Sequence, residues 1–382
     1  MDDAETAFDG AANAGKGRSK SLWHLPRRDF VLLPLIFVMT IVVLLAGAET
    51  ASRLIFVQAD NVDPCLYRTP SGPRFQPFCS FRDKVWDGPW VTQRYNDCGY
   101  RSAEPCTPRP PGALRVVVLG TSVAQGRKVD YDDSFAARSA LFLSNRCGQV
   151  VDFQNLGSTV DALDGTDLRI PEALALRPSA IVMIIGAHDL LHLKDPLPAV
   201  NQEGPPSQFN LQAVLTELRE SRLFLVIEGQ LYRDPAFHIR GFLLTGDAAD
   251  YVRSPLNERW RQRLTDFGGL LGRIIAATAP AQVPVLLFYF PARPQAALAA
   301  AASVPPGIDP LALGEALGAE AARHGVRFFD TTRAFATAPA FQSLYYVTDG
   351  HPKPAGHAAL AGVVEQALLS EPAFAGCTRS GP

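Results

Sequence analysis

Two stretches far apart in the chain carry side chains capable of nucleophilic chemistry. The first, Arg115-Val-Val-Val-Leu-Gly-Thr-Ser122-Val-Ala-Gln-Gly126, is an apolar run that ends abruptly in small and hydroxyl residues. The second, Tyr345-Tyr-Val-Thr-Asp349-Gly-His351-Pro-Lys-Pro-Ala-Gly-His357, sets an acid and an imidazole two residues apart. In an extended loop that spacing puts both side chains on one side, so the carboxylate can hold the imidazole that takes a proton from a serine hydroxyl. Neither stretch is specific alone, because Gly-Thr-Ser is a common turn and Asp-x-His is common in loops. Two further pieces lie between them. Asn155-Leu-Gly157 follows the apolar residues 150–153, and Gly186-Ala-His188-Asp189-Leu190 follows Ala180-Ile-Val-Met-Ile-Ile185.

Taken in this order, each at the end of an apolar run, the four pieces make the chain resemble the SGNH (GDSL-like) hydrolase family over roughly residues 113–370. The resemblance implies a serine esterase or deacylase. Ser122 would be the nucleophile, and His351 the base, oriented by Asp349. The oxyanion hole would be formed by the amides of Ser122 and Gly157 and by the side chain at His188. The family's Asp before the serine is Thr121 here, its third-block Asn is His188, and its Asp-x-x-His is shortened to Asp349-x-His351. Of these, His188 bears most on chemistry. A neutral imidazole can donate one hydrogen bond but differs from an amide in reach, and one lost oxyanion donor costs ~10²–10³ in rate. No cofactor and no metal is implied. His357, in the first turn of the last helix, reads as structural or solvent-facing.

The elements that must position these residues follow from hydrophobic pattern. The run before Ser122 is continuous in Val and Leu, which suits a strand covered on both faces. Asp132, Asp133 and Ser134 offer caps for a helix through residues 134–145. Strands near 150–154, 180–185, 283–290 and 326–330 alternate with helices near 166–176, 255–277 and 310–323, and a final helix begins at Pro354. This is α/β, a doubly wound and mostly parallel sheet. The flavodoxin-like order would be 2-1-3-4-5, with Ser122 at the carboxyl end of a central strand. Residues 190–256 interrupt the alternation. They contain Arg233, Phe237, His238, Arg240 and Tyr251 and read either as a lid or substrate wall or as a helical decoration.

Outside the hydrolase-like region the chain divides by composition. Residues 1–28 read as a disordered cytoplasmic tail ending in Arg27 and Arg28. Residues 29–48 read as a transmembrane helix, since 30–48 lack any charge and suffice for a ~30 Å hydrocarbon core. The basic residues before it keep the N-terminus cytoplasmic, leaving the remainder on the periplasmic or extracellular side of the inner membrane. A cleaved signal peptide, suggested by Ala46-Gly-Ala48, is the alternative. Residues 49–112 form an irregular Cys-, Pro- and aromatic-rich juxtamembrane segment. Its Tyr95-Asn96-Asp-Cys-Gly99-Tyr-Arg101 is similar to an Asn-x-x-Gly-aromatic-Arg stretch of membrane-anchored relatives, and Trp86 and Trp90 either pack or bind sugar. Residues 113–370 are the hydrolase-like domain and 371–382 a C-terminal tail.

All six cysteines follow the apolar segment, as disulfides in an oxidising compartment would, with free buried thiols as the alternative. The simplest connectivity pairs Cys65 with Cys79 and Cys98 with Cys106, leaving Cys147 to meet Cys377 where the first and last helices of the sheet are neighbours. A net charge of -2 with 19% charged residues gives no case for nucleic acid. The expected partners are the bilayer, through residues 30–48, and an acylated glycan or glycolipid of the cell envelope. The expected reaction is ester hydrolysis. O-acyl transfer by the same triad is one alternative; a catalytically degenerate domain that binds or scaffolds an envelope polysaccharide is the other.

Overall fold

The computed structural model describes residues 28–59, 63–69, 72–158, 163–194 and 221–378. Residues 1–27 of the expected N-terminal tail, the middle of the insertion and the last four residues of the C-terminal tail lie outside the described residues. The chain forms two compact units, residues 1–51 and 52–382.

In the first unit runs most of the helix Asp29–Ile55, which is long and apolar enough to cross a membrane. It continues past residue 48 because Glu49-Thr-Ala-Ser-Arg-Leu-Ile55 contains neither Gly nor Pro to end it. The hydroxyls of Thr40 and Thr50 donate to the carbonyls four residues back, so neither requires water.

The second unit begins with two β-hairpins. Strands β1 (Leu66–Thr69) and β2 (Gly72–Phe75) pair antiparallel, as do β3 (Ser80–Asp83) and β4 (Val91–Arg94). Residues expected to be irregular thus form sheet. At four residues each, the strands are too short for alternation to register in the sequence.

The main sheet is built from β5 (Leu114–Gly120), β6 (Val151–Asn155), β7 (Ala180–Gly186), β8 (Val285–Phe290) and β9 (Arg327–Asp330). All are parallel, in the order β6-β5-β7-β8-β9. This is the doubly wound order 2-1-3-4-5. Both faces of β5, β7 and β8 are buried, which is why those three strands are largely apolar. On one face Val117, Leu119, Ile181, Met183 and Leu287 meet Phe267, Leu271 and Ile274 of the helix Glu258–Thr278 and Leu317 of the helix Ala312–Arg323. On the other, Val116, Val118, Val182 and Phe288 meet Phe135 and Leu143 of Phe135–Cys147 and Leu360 and Val364 of Pro354–Leu369. Ser134 caps the first of these helices by accepting from the amide of Ala137 at 3.2 Å.

Local boundaries differ where propensity misleads. Residues 166–176 hold only a short helix, Ile170–Ala175, preceded by a 3-10 turn. The Ala-rich residues after β8 form the helix Arg293–Ala300. The described part of the insertion forms helices Arg222–Leu231 and Pro235–Leu243, followed by 3-10 turns. Tyr251 belongs to the core, its ring tilted against that of Trp260 at 5.3 Å, and is no part of an outer wall.

Three disulfides join Cys65 to Cys79, Cys98 to Cys106 and Cys147 to Cys377, with Cα separations of 5.7, 6.0 and 3.9 Å. The last ties the end of Phe135–Cys147 to the 3-10 turn Pro372–Thr378 beyond the final helix. It spans 230 residues, so its loss frees a long loop worth up to ~5 kcal/mol in the chain-entropy picture. The double variant Cys147→Ala/Cys377→Ala is expected to melt on the order of 10 °C lower than wild type by calorimetry. An unchanged melting temperature would contradict this.

Candidate active site

Gly120 ends β5 at φ 131°, and a Cβ there would lie 2.2 Å from the carbonyl oxygen of Ile184 on β7. Only glycine lets the chain turn so close to its neighbour. Ser122 then opens a helix of one turn, Ser122–Gln125, closed by left-handed Gly126, whose amide donates to the carbonyls of Ser122 and Val123. The side chain of Thr121 donates to Asp189 Oδ1 at 2.5 Å, while Asp189 Oδ2 accepts from the amide of Gly186 at 2.7 Å. Asp189 thereby joins the ends of β5 and β7. Burial pushes its carboxyl pKa up, opposed by these two hydrogen bonds. A second carboxylate at position 121 would repel it, so the departure at Thr121 matches the partner across the strand.

The second stretch folds back on itself. Tyr345 bridges Pro352, the amide of Tyr346 donates to the carbonyl of His351 at 2.9 Å, and Gly350 turns the loop at φ 78°. This brings His351 Nδ1 to 2.6 Å from Asp349 Oδ1, which also accepts from the amide of His351 at 3.2 Å. Burial raises the Asp349 pKa, but the facing imidazole and its hydrogen bond outweigh that, and with Lys128 they hold the carboxyl down at about 2. With Nδ1 engaged, Nε2 is the ring nitrogen left to serve a serine.

His188 lies in the short helix Ala187–Leu191, exposed, its ring 4.4 Å from that of His192. Desolvation, then the charges of His192 and His351, bring its pKa down to about 4, so the ring is neutral near pH 7. Gly157 presses against the Ser122 turn, where a Cβ would stand 2.6 Å from the amide nitrogen of Gln125. Its own N–H, expected to serve the oxyanion, donates instead to Asn155 Oδ1 at 2.9 Å. Asn155 Nδ2 in turn donates to the carbonyl of Ala124 at 2.7 Å.

Residues between the apolar helix and β5 hold these loops in place, a role the sequence reading did not assign. The buried Arg101 guanidinium donates to the carbonyls of Gln125 (2.9 Å), Gly126 and Val129 (2.6 Å), gripping the end of the Ser122 turn. Burial lowers its pKa to about 10, which still leaves it charged at neutral pH. Asp83 pairs with Lys128 at 2.7 Å and Arg127 at 3.3 Å just beyond that turn. Asp87 Oδ2 accepts from the amide of Val347 at 3.1 Å, and Trp86 Nε1 donates to Thr348 Oγ1 at 2.8 Å. Trp86 therefore packs, next to Asp349. Trp90 is partly exposed, with the Arg82 guanidinium 4.6 Å from its ring. The only signal for this brace was the Asn96–Arg101 stretch, where the Asn96 side chain accepts from the amides of Cys98 and Tyr100.

His357 is fully buried and not solvent-facing. Its Nδ1 faces the amide of Phe135 at 3.4 Å, and burial pushes its pKa down to about 3. Among the described residues, Asp97, Cys98 and Cys106 come within metal-ligand distance of one another, but both sulfurs are spent in a disulfide.

The model of the GDSL-like Lipase/Acylhydrolase family matches residues 118–359. No curated protein matches the chain. Solved structures similar to it include TesA (16% identity, 67% of this chain and 98% of that one, TM-score 0.38). A lipase/acylhydrolase from Enterococcus faecalis is 12% identical, over 67% of this chain and 95% of its own, at TM-score 0.39. The SGNH-hydrolase family esterase AlinE4 is 15% identical, over 68% of this chain and 97% of its own, at TM-score 0.33.

Two outcomes follow from the geometry. The folded-state pKa of Asp349 is depressed, so its bond to the imidazole adds stability above the unfolded carboxylate range and loses it as pH falls through about 2. The stability gap between wild type and Asp349→Asn, from denaturant melts, should be present at about pH 5 and close towards about pH 2; a gap independent of pH over that span would contradict the pairing. Trp86→Phe keeps most of the ring but loses the bond to Thr348. It should lower kcat ~10-fold on a short ester with KM unchanged, the mark of a misplaced loop rather than weakened binding.

Proposed function

The chain belongs to the GDSL-like lipase/acylhydrolase family and is an ester hydrolase, and from that premise we propose that Ser122, His351 and Asp349 are its catalytic triad. The observation that carries the assignment is the 2.6 Å bond between His351 Nδ1 and Asp349 Oδ1. Ser122 Oγ attacks the ester carbonyl carbon while His351 Nε2 takes the hydroxyl proton. The tetrahedral intermediate collapses, the carbon–oxygen bond to the alcohol breaks, and His351 returns the proton to the leaving oxygen. Water, deprotonated by the same imidazole, then attacks the acyl-serine; the bond from the acyl carbon to Ser122 Oγ breaks, His351 returns the proton to Oγ, and the carboxylic acid leaves. Asp349 stays ionised throughout and keeps His351 oriented.

The oxyanion is held by the amide of Ser122 and the neutral His188 ring. The Gly157 amide joins them only by sharing its hydrogen with Asn155 Oδ1. A sugar hydroxyl in place of water turns the second step into acyl transfer through the same groups.

The substrate we propose is an O-acylated glycan or glycolipid of the cell envelope. The protein would be a single-pass protein of the inner membrane, N-terminus cytoplasmic and hydrolase domain exported. Basic residues ahead of the apolar helix and three disulfides beyond it support that orientation.

Ser122→Ala and His351→Ala should each cut hydrolysis of short p-nitrophenyl esters by ~10⁴-fold or more at an unchanged melting temperature. His357→Ala should melt lower, since the ring is buried in the core, yet keep kcat in the folded fraction. Equal loss of kcat from His351→Ala and His357→Ala would overturn the choice of base.

A further inference from the structure

The insertion helix Arg222–Leu231 is apolar on two opposite sides. On one side Gly229 packs so closely that a Cβ would lie 2.3 Å from Trp86 and 3.3 Å from Thr348 Cγ2, against the loop of Asp349 and His351. The opposite side carries Phe224, Ile227 and Leu231, a single stripe at positions i, i+3 and i+7 that is 44, 50 and 44% exposed. The next helix, Pro235–Leu243, adds Phe237 at 43%, and Leu244 just beyond it is 86% exposed. A helix that only decorated a domain in water would present polar residues on that side.

Chain length says what lies nearby. Arg222 donates to the side chain of Gln58. Residues 49–58 comprise seven helical positions and three beyond them, so Gln58 stands at most ~20 Å from residue 48, the end of the uncharged run. Several ångströms of that distance belong to the headgroup layer itself. The acids of the two helices are engaged locally: Glu228 bonds Tyr232, and Asp234 caps the second helix. Arg233 and Arg240 are exposed beside the apolar side chains, as in helices that lie on anionic lipid.

We propose that the outer face of these two helices lies in the headgroup layer of the bilayer that holds Asp29–Ile55, and that the substrate is an ester carried by a membrane-embedded amphiphile. One helix diameter, ~10 Å, then separates the lipid from Thr348 and the triad. The substrate reaches Ser122 from the bilayer without leaving it fully. This rests on the anchored-esterase reading above, and the experiment separates the two.

The full chain is placed in nanodiscs of anionic phospholipid brominated on the acyl chains, and tryptophan quenching is compared with unbrominated discs. Phe224→Trp and Phe237→Trp should be quenched, as should Val42→Trp within the anchor. Leu141→Trp, exposed on a helix covering the other sheet face, should not. The double variant Phe224→Asp/Ile227→Asp should hydrolyse a long-chain ester embedded in the disc at least ~10-fold more slowly and a water-soluble p-nitrophenyl ester at the wild-type rate. Quenching at Val42→Trp without quenching at Phe224→Trp overturns the proposal and leaves the anchor standing. No quenching at Val42→Trp removes the anchor and the proposal together. A Phe224→Trp shielded from both bromolipid and aqueous acrylamide means that another segment of the chain covers the face, which also overturns it. Equal loss on both esters overturns the substrate assignment.

Discussion

The turn that carries Ser122 is four residues long, and a helix that short has no stability of its own. Apart from the bonds of its own backbone, the constraints on Ser122 therefore come from outside the turn. Gly120 lets the strand end against β7, Gly157 lets β6 close over the turn, and Asn155 and Arg101 bind its carbonyls. Replacing Arg101 would leave buried carbonyls unpaired at ~1–3 kcal/mol each, so this guanidinium is as much a part of the site's construction as the sheet. A chain cut at residue 113 would contain the family-matching region without Arg101.

The same logic applies to the loop of Asp349 and His351. Its fold-back bonds set the two-residue pair in register, but its position relative to the sheet depends on Trp86 and Asp87, which precede the sheet by about thirty residues in sequence. Charge is distributed accordingly. Asp349 is held ionised by its imidazole, His188 is held neutral, and the charged Arg101 sits beneath the turn facing carbonyls rather than the reacting atoms.

Much of this was legible in the residues. Buried parallel strands announce themselves as continuous Val, Ile and Leu, and the sheet order followed from alternation with helices; Cys147 and Cys377 met because those two helices are neighbours in that order. The Asp349–His351 contact was readable from a spacing of two. What was not legible depends on distance through space. Nothing in Trp86 or Asp87 marks them as supports of loops beyond residue 120, Arg101 is marked only by the stretch it closes, and four-residue strands carry too few alternations to be seen. Gly157 was expected to offer its amide to the oxyanion, and the engagement of that amide by Asn155 is decided by a side-chain rotamer that no pattern encodes.

We propose, above all, that Ser122 is a nucleophile activated by His351. The direct test is to treat the full chain with a fluorophosphonate and map the adduct by mass spectrometry. Phosphonylation of the peptide carrying Ser122 is expected in wild type, with labelling slowed by several orders of magnitude in His351→Ala. An adduct on any other residue, or equal labelling rates in wild type and His351→Ala, would contradict it.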